Sequence, residues 1–463
     1  MRWSRPKRSH DADRRVGRTR TPAPRIGPRI GPRIGLAAAL LLLAVLAAQL
    51  ETRDLDLGVY WQAAERVVVE GADPYPRRAG QQLPFTYPPT ALFLLWPLAS
   101  LTLAQSAWLL WLTNLALAVV VLVLLPRDLA QPGAADSVAG RRLRLWGPLY
   151  VAGFGGLYLT LHFHQINLLI LLCIWLYWRV LRRGSAGWLA AYGAGAALAL
   201  GAVAKPHAGL LILAALPRAA PARDATRWRI LLGALVAGIA LLALSFALAP
   251  AGSWGSWLEL VPGTTSYTAL PPGHSSIAAP WNRAIAGEVA RLLLPNKFTT
   301  PLVASPALAA GASTTLVLAI AAVSAWVLWR SWRSGRGDPA TVDLQLACLS
   351  AVIFLAAPAS WTHHLVLLLP AALVLLRDGV LDPAGAPGSR LTAALVLAVL
   401  ALTLDDLIPR EVRTASQPLM ALMTVGVIGL WLLLLQRLGA ASVQPAAPDA
   451  GAMPASSERR SAI

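Results

Sequence analysis

Apolar residues along the chain gather into runs at 35–50, 104–125, 147–161, 165–178, 188–204, 206–217, 230–250, 307–329, 344–358, 364–376, 391–404 and 418–435. A bilayer core of about 30 Å takes roughly 20 apolar residues of helix. The pattern therefore predicts twelve membrane spans, several of them short. A further apolar stretch, Thr86 to Ser100, opens on Tyr87-Pro88-Pro89 and carries Pro97, so it reads as a juxtamembrane or re-entrant helix. The predicted fold class is all-α, a polytopic bundle of membrane helices, because helices satisfy their own backbone hydrogen bonds in lipid.

Composition supports that pattern. Of 463 residues, 56% are hydrophobic and 13% are charged, with mean hydropathy +0.58. Soluble domains carry about 25% charged residues, so a set of water-soluble domains is excluded. The net charge of +18 could signal nucleic-acid binding, which needs cations gathered on one surface. Here they fall in short bursts between apolar runs, so no nucleic-acid partner is expected. Cys173 and Cys348 lie far apart in apolar segments and offer neither a disulfide framework nor a metal site.

Charge also orients the chain, since cytoplasmic loops collect Lys and Arg. With residues 86–100 at the outer surface, both tails and the loops near 126–146, 179–187, 218–229, 330–342 and 377–390 share one side and hold 30 of the 40 cations. That side is read as cytoplasmic in a plasma-membrane protein. Residues 1–34, with the repeat Arg25-Ile26-Gly27-Pro28-Arg29-Ile30-Gly31-Pro32, read as a disordered basic tail beside membrane lipids. Residues 35–436 form the membrane domain, with outer loops 51–103 and 251–306. Residues 437–463, rich in Ala, Pro and Ser, read as a second disordered tail.

In this topology six of the seven histidines, His162, His164, His207, His274, His363 and His364, fall at the outer face. Polar groups at membrane depth are costly, so their grouping points to a site; tolerance of histidine near headgroups is the plainer reading of any one of them. The first outer loop places Asp54 and Asp56 directly after the first span, ahead of an amphipathic helix containing Tyr60. A shielded carboxylate there could act as general base toward an alcohol, or simply cap the helix. The turn His164-Gln165-Ile166-Asn167, the break Lys205-Pro206-His207 and the segment Ser360-Trp361-Thr362-His363-His364 return to the same face. A lysine with several histidines suits an anionic ligand such as a lipid phosphate, while snorkelling to the headgroups is the alternative for Lys205. Trp254, Trp257, Tyr267, His274, Trp281 and Asn282 mark loop 251–306 as a lid over the cavity or a set of interface anchors.

The ordered set Asp56-Leu57-Gly58-Val59-Tyr60, Gly71 to Tyr75, Phe85-Thr86-Tyr87-Pro88-Pro89, Gln165-Ile166-Asn167, Lys205-Pro206 and Ser360 to His364 resembles the polyprenyl-phosphate-mannose-dependent α-1,2-mannosyltransferases of actinobacteria. These belong to glycosyltransferase family 87 of the GT-C superfamily, and the resemblance spans about residues 36–436. It implies a GT-C bundle with outer juxtamembrane helices over an extracytoplasmic cavity. It also implies inverting transfer of mannose from a lipid-linked donor to a glycolipid or glycan acceptor of the cell envelope, of the phosphatidylinositol mannoside or lipomannan type. Carried over, Asp56 is the general base, and His363 and His364 lie near the donor phosphate or acceptor. Asp54, Tyr60, Tyr87, His164, Gln165, Asn167, Lys205, His274 and Trp361 are the expected substrate contacts, with Lys205 on the phosphate. The chain departs from the family pattern at His162-Phe163 and at His207, which could alter acceptor choice.

No cofactor is firmly implied. Some GT-C enzymes use a divalent cation, and Asp54 with Asp56 could supply ligands, though two carboxylates alone do not define a metal site. The rival readings are transfer of another polyprenyl-phosphate sugar such as arabinofuranose or glucose, a lipid-linked sugar transporter or flippase, and a catalytically dead scaffold. Transporters show repeats and midplane charges, and neither stands out here.

Overall fold

The computed structural model describes residues 30–76, 83–130, 137–216, 221–268, 270, 273–335, 337–402, 412 and 416–443, and among them every regular element is helical. Seven helices are long and apolar enough to cross a membrane: α1 (Ile30–Ala48), α3 (Leu103–Leu129), α8 (Pro221–Leu248, apolar over Ala225–Leu248), α11 (Pro306–Arg333), α12 (Pro339–Ala356), the composite helix α13 (Thr362–Val380) and α15 (Gln417–Val443), apolar from Pro418. The other predicted spans are shorter: α4 (Val138–Ala152) continued by α5 (Gly155–His162), α6 (Asn167–Arg183), α7 (Trp188–Ala204), the 3₁₀ helix Pro206–Ala215 and α14 (Pro387–Ala401). The chain is thus a multi-pass membrane protein with a helix at each of the twelve expected places. Outside these spans run α2 (Leu55–Val68), α9 (Ser253–Thr264) and α10 (Ile285–Leu293).

Local sequence explains the boundaries. Residues Pro89–Ser100 form only short turns of 3₁₀ and α helix, and α3 restarts cleanly at a capping box. In that box the Gln105 N–H donates to Thr102 Oγ1 at 3.2 Å and the Thr102 N–H to Gln105 Oε1 at 2.9 Å. Asp338 caps α12 through the Thr341 N–H at 3.0 Å. Helix α6 ends on Gly184 at φ 71°, a left-handed position that glycine takes without cost. Helices α7 and α8 meet closely because Gly195 and Gly233 lack a side chain: a Cβ on either would fall within 1.9–2.1 Å of a backbone oxygen of the other helix.

Helix occupies residues 30–34 and 437–443, which the sequence pattern assigns to the two tails. Helix α1 spans Ile30–Ala48, and Pro32 lies in its first described turn, where a proline's missing N–H costs no helical bond. Helix α15 continues to Val443, where an Ala-containing turn follows Arg437, whose Nη1 donates to the Asp378 carbonyl at 2.6 Å. The rest of both tails lies outside the described residues.

Two polar layers mark the opposite ends of the bundle. At the end carrying the termini of α3 and α6 and the start of α12, the fully buried Asp343 accepts from Trp178 Nε1 at 2.9 Å, from Arg182 Nε and Nη2 at 2.9 Å each, and from Arg377 Nη1 at 2.7 Å. Arg377 also donates to the Leu129 carbonyl at 2.8 Å and pairs with Asp378. It leaves the helix within a π-helical turn, Leu376–Val380, a distortion often found where a side chain must be re-aimed. One carboxylate thereby ties three spans, α6, α12 and the composite helix, and Arg377 adds α3 through the Leu129 carbonyl. Cys173 and Cys348 are both buried free thiols.

Candidate functional site

The other polar layer is assembled by α2, the α5–α6 turn, the α7 terminus and the start of the composite helix. Helix α2 turns its apolar face, Leu57, Tyr60, Ala63, Ala64 and Val67, into the bundle. Asp56 lies in its first turn, where a carboxylate also meets the helix's positive end. The preceding linker is stapled to the α5–α6 turn: the Arg53 N–H donates to the His162 carbonyl at 2.7 Å, and His162 Nδ1 meets the Glu51 carbonyl.

Asp54 holds the N-cap position but makes no side-chain cap bond. Its carboxylate instead approaches His164 Nδ1 at 3.4 Å. His164 is buried and adopts φ 51°, an uncommon left-handed backbone for a residue with a side chain. Burial holds its imidazole below the ordinary histidine range, with Asp54 opposing that shift.

Asp56 turns to Gln165. Tyr60 donates its hydroxyl proton to Gln165 Oε1 at 2.7 Å, and a second hydroxyl, that of Tyr87, lies 2.8 Å from the Tyr60 oxygen. Since Tyr60 has one proton to give, Tyr87 donates to Tyr60, Tyr60 to Gln165, and the Gln165 amide nitrogen remains for the Asp56 carboxylate it bonds. Gln165 is itself fixed by Asn114 Nδ2, which donates to its carbonyl at 2.9 Å from within α3. Burial pushes the Asp56 carboxyl above its ordinary range; the Gln165 bond and the charge of Lys205 pull back only part of that shift.

Lys205 sits between α7 and the 3₁₀ helix and is buried, with its Nζ 5.6 Å from the Tyr87 ring centroid and 2.5 Å from His364 Nε2. The Trp361 N–H donates to His364 Nδ1 at 3.2 Å. A neutral imidazole accepting at Nδ1 carries its proton on Nε2, so this contact forms with the Lys205 amine when that amine is in its neutral, accepting form. That agrees with burial lowering Lys205 to about 7, against the opposing charge of Asp56. A half-buried carboxylate, Asp56, and a buried amine, Lys205, thus lie within electrostatic reach of each other at this end of the bundle.

The histidine pair divides. His364 meets Lys205, whereas the His363 ring packs edge-on to His364 at 4.5 Å and to Phe163 at 6.0 Å. The His363 carbonyl accepts from Asn167 Nδ2 at 3.3 Å and Thr160 Oγ1 at 3.4 Å, and the buried Asn167 Oδ1 has no hydrogen-bond partner among the described residues. His274 is half-buried in loop 251–306 beside the left-handed Gly273, and none of these pairings involves it. Asp54 and Asp56 have separate partners, and among the described residues no three His, Cys, Asp or Glu side chains form a group that could hold a metal ion.

Loop 251–306 contributes structure the sequence pattern did not assign. Ser256 donates to Asp73 at 2.6 Å and Trp257 Nε1 to the Thr86 carbonyl at 3.2 Å, which lays α9 against the first outer loop. Asn282 is buried and bridged antiparallel to Trp361. Its Nδ2 donates to Ile277 O at 3.0 Å and Pro358 O at 3.2 Å, while Oδ1 accepts from Ala284 N at 3.2 Å and Ser360 N at 3.0 Å. The buried Arg283 donates from Nε to Thr362 Oγ1 at 3.2 Å and from Nη1 to the Met420 carbonyl at 2.6 Å. Asn282 and Arg283 thus hold the segment that presents His363 and His364.

Comparison with known proteins follows this geometry. The model of Glycosyltransferase family 87 matches residues 85–358. Among solved structures, ArnT from Cupriavidus metallidurans, crystallised with undecaprenyl phosphate, is similar at TM-score 0.42 and 15% identity, covering 88% of this chain and 77% of that one. No curated protein matches the chain.

Proposed function

The chain belongs to glycosyltransferase family 87, and on that premise we propose that it transfers mannose, with inversion, from polyprenyl-phosphate mannose to a glycolipid or glycan acceptor in α-1,2 linkage. The reaction takes place at the outer face of the cytoplasmic membrane, in a GT-C bundle. The observation that carries the reading is the placement of a half-buried carboxylate, Asp56, within electrostatic reach of a buried amine, Lys205, at one end of the bundle.

In this mechanism Asp56 takes the proton of the attacking acceptor hydroxyl, whose oxygen forms the new bond to the anomeric carbon. The carbon–oxygen bond to the lipid phosphate breaks on the opposite face, and the phosphate keeps the electron pair. Lys205, charged once the anionic donor arrives, offsets the negative charge growing on that phosphate. His364 lies against Lys205 on the donor side, and Trp361 fixes its ring. Tyr87, Tyr60 and Gln165 keep the Asp56 carboxylate aimed at the acceptor. We assign Asp54, His164 and Asn167 to the acceptor side and give His274 a substrate contact from the outer loop. The unpartnered Asn167 Oδ1 is available to a sugar hydroxyl.

The test supplies purified protein in liposomes with radiolabelled polyprenyl-phosphate mannose, glucose or arabinofuranose and a phosphatidylinositol mannoside acceptor. Mannose incorporated into an α-1,2-linked product supports the reading. Incorporation of another sugar alone overturns the donor assignment, and lipid translocation without a new glycosidic bond overturns the assigned reaction.

A further inference from the structure

The segment Gly71 to Tyr75 and the tryptophans of loop 251–306 have no part in the proposed transfer, yet they converge on the segment that carries Tyr87. Gly71 follows α2 at φ 62°, a left-handed position open to glycine, and the Ala72 N–H returns to the Arg66 carbonyl at 2.9 Å. The chain then turns at Asp73, whose Oδ1 accepts from the Tyr75 N–H at 3.3 Å. Its other oxygen, Oδ2, accepts from the Ser256 hydroxyl of α9 at 2.6 Å, a short bond of the charge-assisted kind. One carboxylate thus joins two outer loops 183 residues apart.

Helix α9 is itself anchored. It starts after Gly252, at φ 90°, and Trp254 turns back to α8, donating from Nε1 to Ser245 Oγ at 3.2 Å and stacking on Phe246 at 5.5 Å. The Trp254 ring meets Trp257 edge-on at 5.6 Å, and Trp257 Nε1 donates to the Thr86 carbonyl at 3.2 Å. From the other side the Tyr75 hydroxyl donates to the Tyr87 carbonyl at 2.8 Å, while its ring packs on Phe85 at 5.5 Å. Two successive carbonyls are therefore held by side chains from two different loops. Thr90 Oγ1 fastens the same segment to the Val203 carbonyl at 2.7 Å, just ahead of Lys205.

These bonds fix the Tyr87 side chain. Its hydroxyl lies 2.8 Å from that of Tyr60 and heads the chain to Gln165 and Asp56, and its ring lies 5.6 Å from Lys205 Nζ. Tyr87 thus touches both halves of the site. A misplacement of about 1 Å in such a group costs up to about 100-fold in rate.

We propose that Asp73 and Trp257 are positioning residues for the transfer: they clasp α9 to the first outer loop and thereby set Tyr87 between the Asp56 chain and Lys205. The proposal rests on Asp56 acting as the base of the proposed function. Neither residue touches a substrate in this role. Hydrogen bonds in a chain strengthen one another, so displacing the Tyr87 hydroxyl weakens the Tyr60–Gln165 bond and with it the amide bond that favours the ionised Asp56.

The test uses the full-length protein in nanodiscs, with fluorotyrosine at position 87 read by fluorine NMR and sugar transfer followed across pH. Asp73→Ala, Ser256→Ala and Trp257→Phe should each shift the resonance, lower kcat about tenfold and move the acid limb of kcat/KM to higher pH. Ser256→Thr keeps the hydroxyl and should restore all three readouts. In Tyr87→Phe, which already lacks the hydroxyl, Asp73→Ala should move the limb no further. A resonance that stays in place in every clasp variant overturns the proposal. So does a fall in kcat with the limb unmoved, or a limb that moves equally in the Tyr87→Phe background, since misfolded outer loops alone would give either result. Equal transfer by wild type and Asp56→Asn, with the resonance still shifted by Asp73→Ala, counts against the proposed base alone. An unshifted resonance beside an inactive Asp56→Asn counts against the clasp alone.

Discussion

Replacing Gln165 with leucine isolates the group that holds the proposed base. The side chain keeps its volume but loses the amide that bonds Asp56 and the oxygen that receives the Tyr60 proton. Asp56 already stands above the ordinary carboxylate value because it is buried, and the Gln165 bond is the largest influence pulling it back. Without that bond the neutral carboxyl is favoured further, so the pKa rises. A hydrogen bond to a charged group contributes about 1.5–3 kcal/mol, and one pKa unit corresponds to about 1.4 kcal/mol, so the rise should be about 1–2 units. The base acts only when deprotonated, so transfer falls as pH drops through this pKa, and the acid limb of kcat/KM should move to higher pH in Gln165→Leu. Much of the lost activity should return on the alkaline side of the new limb. Initial rates of labelled-sugar transfer across pH measure this directly. An acid limb that stays in place, with activity reduced equally at every pH, would refute the assignment of Asp56 as the titrating base partnered by Gln165.

Other perturbations follow from the same geometry. Lys205 is lowered to about 7, so above that pH the amine is neutral and KM for the lipid-phosphate donor should climb; Lys205→Met should remove this dependence and raise that KM about 10- to 100-fold. Asn282→Ala breaks four hydrogen bonds around the His363–His364 segment, and kcat should fall about tenfold or more in a saturating-substrate assay while insertion persists. Asp343→Asn leaves two buried guanidiniums without their shared anion, which should destabilise the bundle by about 3–5 kcal/mol in detergent unfolding measurements.

The sequence made the spans legible because apolar runs of this length have few other uses, and their order matches the helices found. The gathering of Asp56, Tyr60, Tyr87, Gln165, Lys205 and His364 at one end was legible as a shared membrane side, but the hydrogen-bond order among them was not. That order depends on Tyr60 meeting a residue 105 positions away. Asp54 illustrates the limit of local rules: it occupies the cap position yet spends its carboxylate on His164. The arginines are the clearest gap. Arg182 and Arg377 count as loop charges in the orientation argument, but the structure buries both against Asp343. Arg283 and Arg291 fall in an outer loop by sequence and are fully buried by packing. Arginine in a loop and arginine folded under one look alike in sequence, because partner carbonyls such as those of Met420 and Ala279 carry no side-chain signal. The 3₁₀ geometry of Pro206–Ala215 was equally hidden, since an uninterrupted apolar run has no period by which to tell it from an α-helix.

The central claim, that Asp56 is the general base of a sugar transfer, is tested most directly by comparing wild type and Asp56→Asn in transfer of labelled mannose from polyprenyl-phosphate mannose. Asparagine keeps the size of the side chain and its contact with Gln165 but cannot take the proton. Removal of the base should lower kcat by about 10²- to 10⁴-fold, with photolabelling by the donor lipid unchanged. Equal transfer rates in the two proteins would contradict the account.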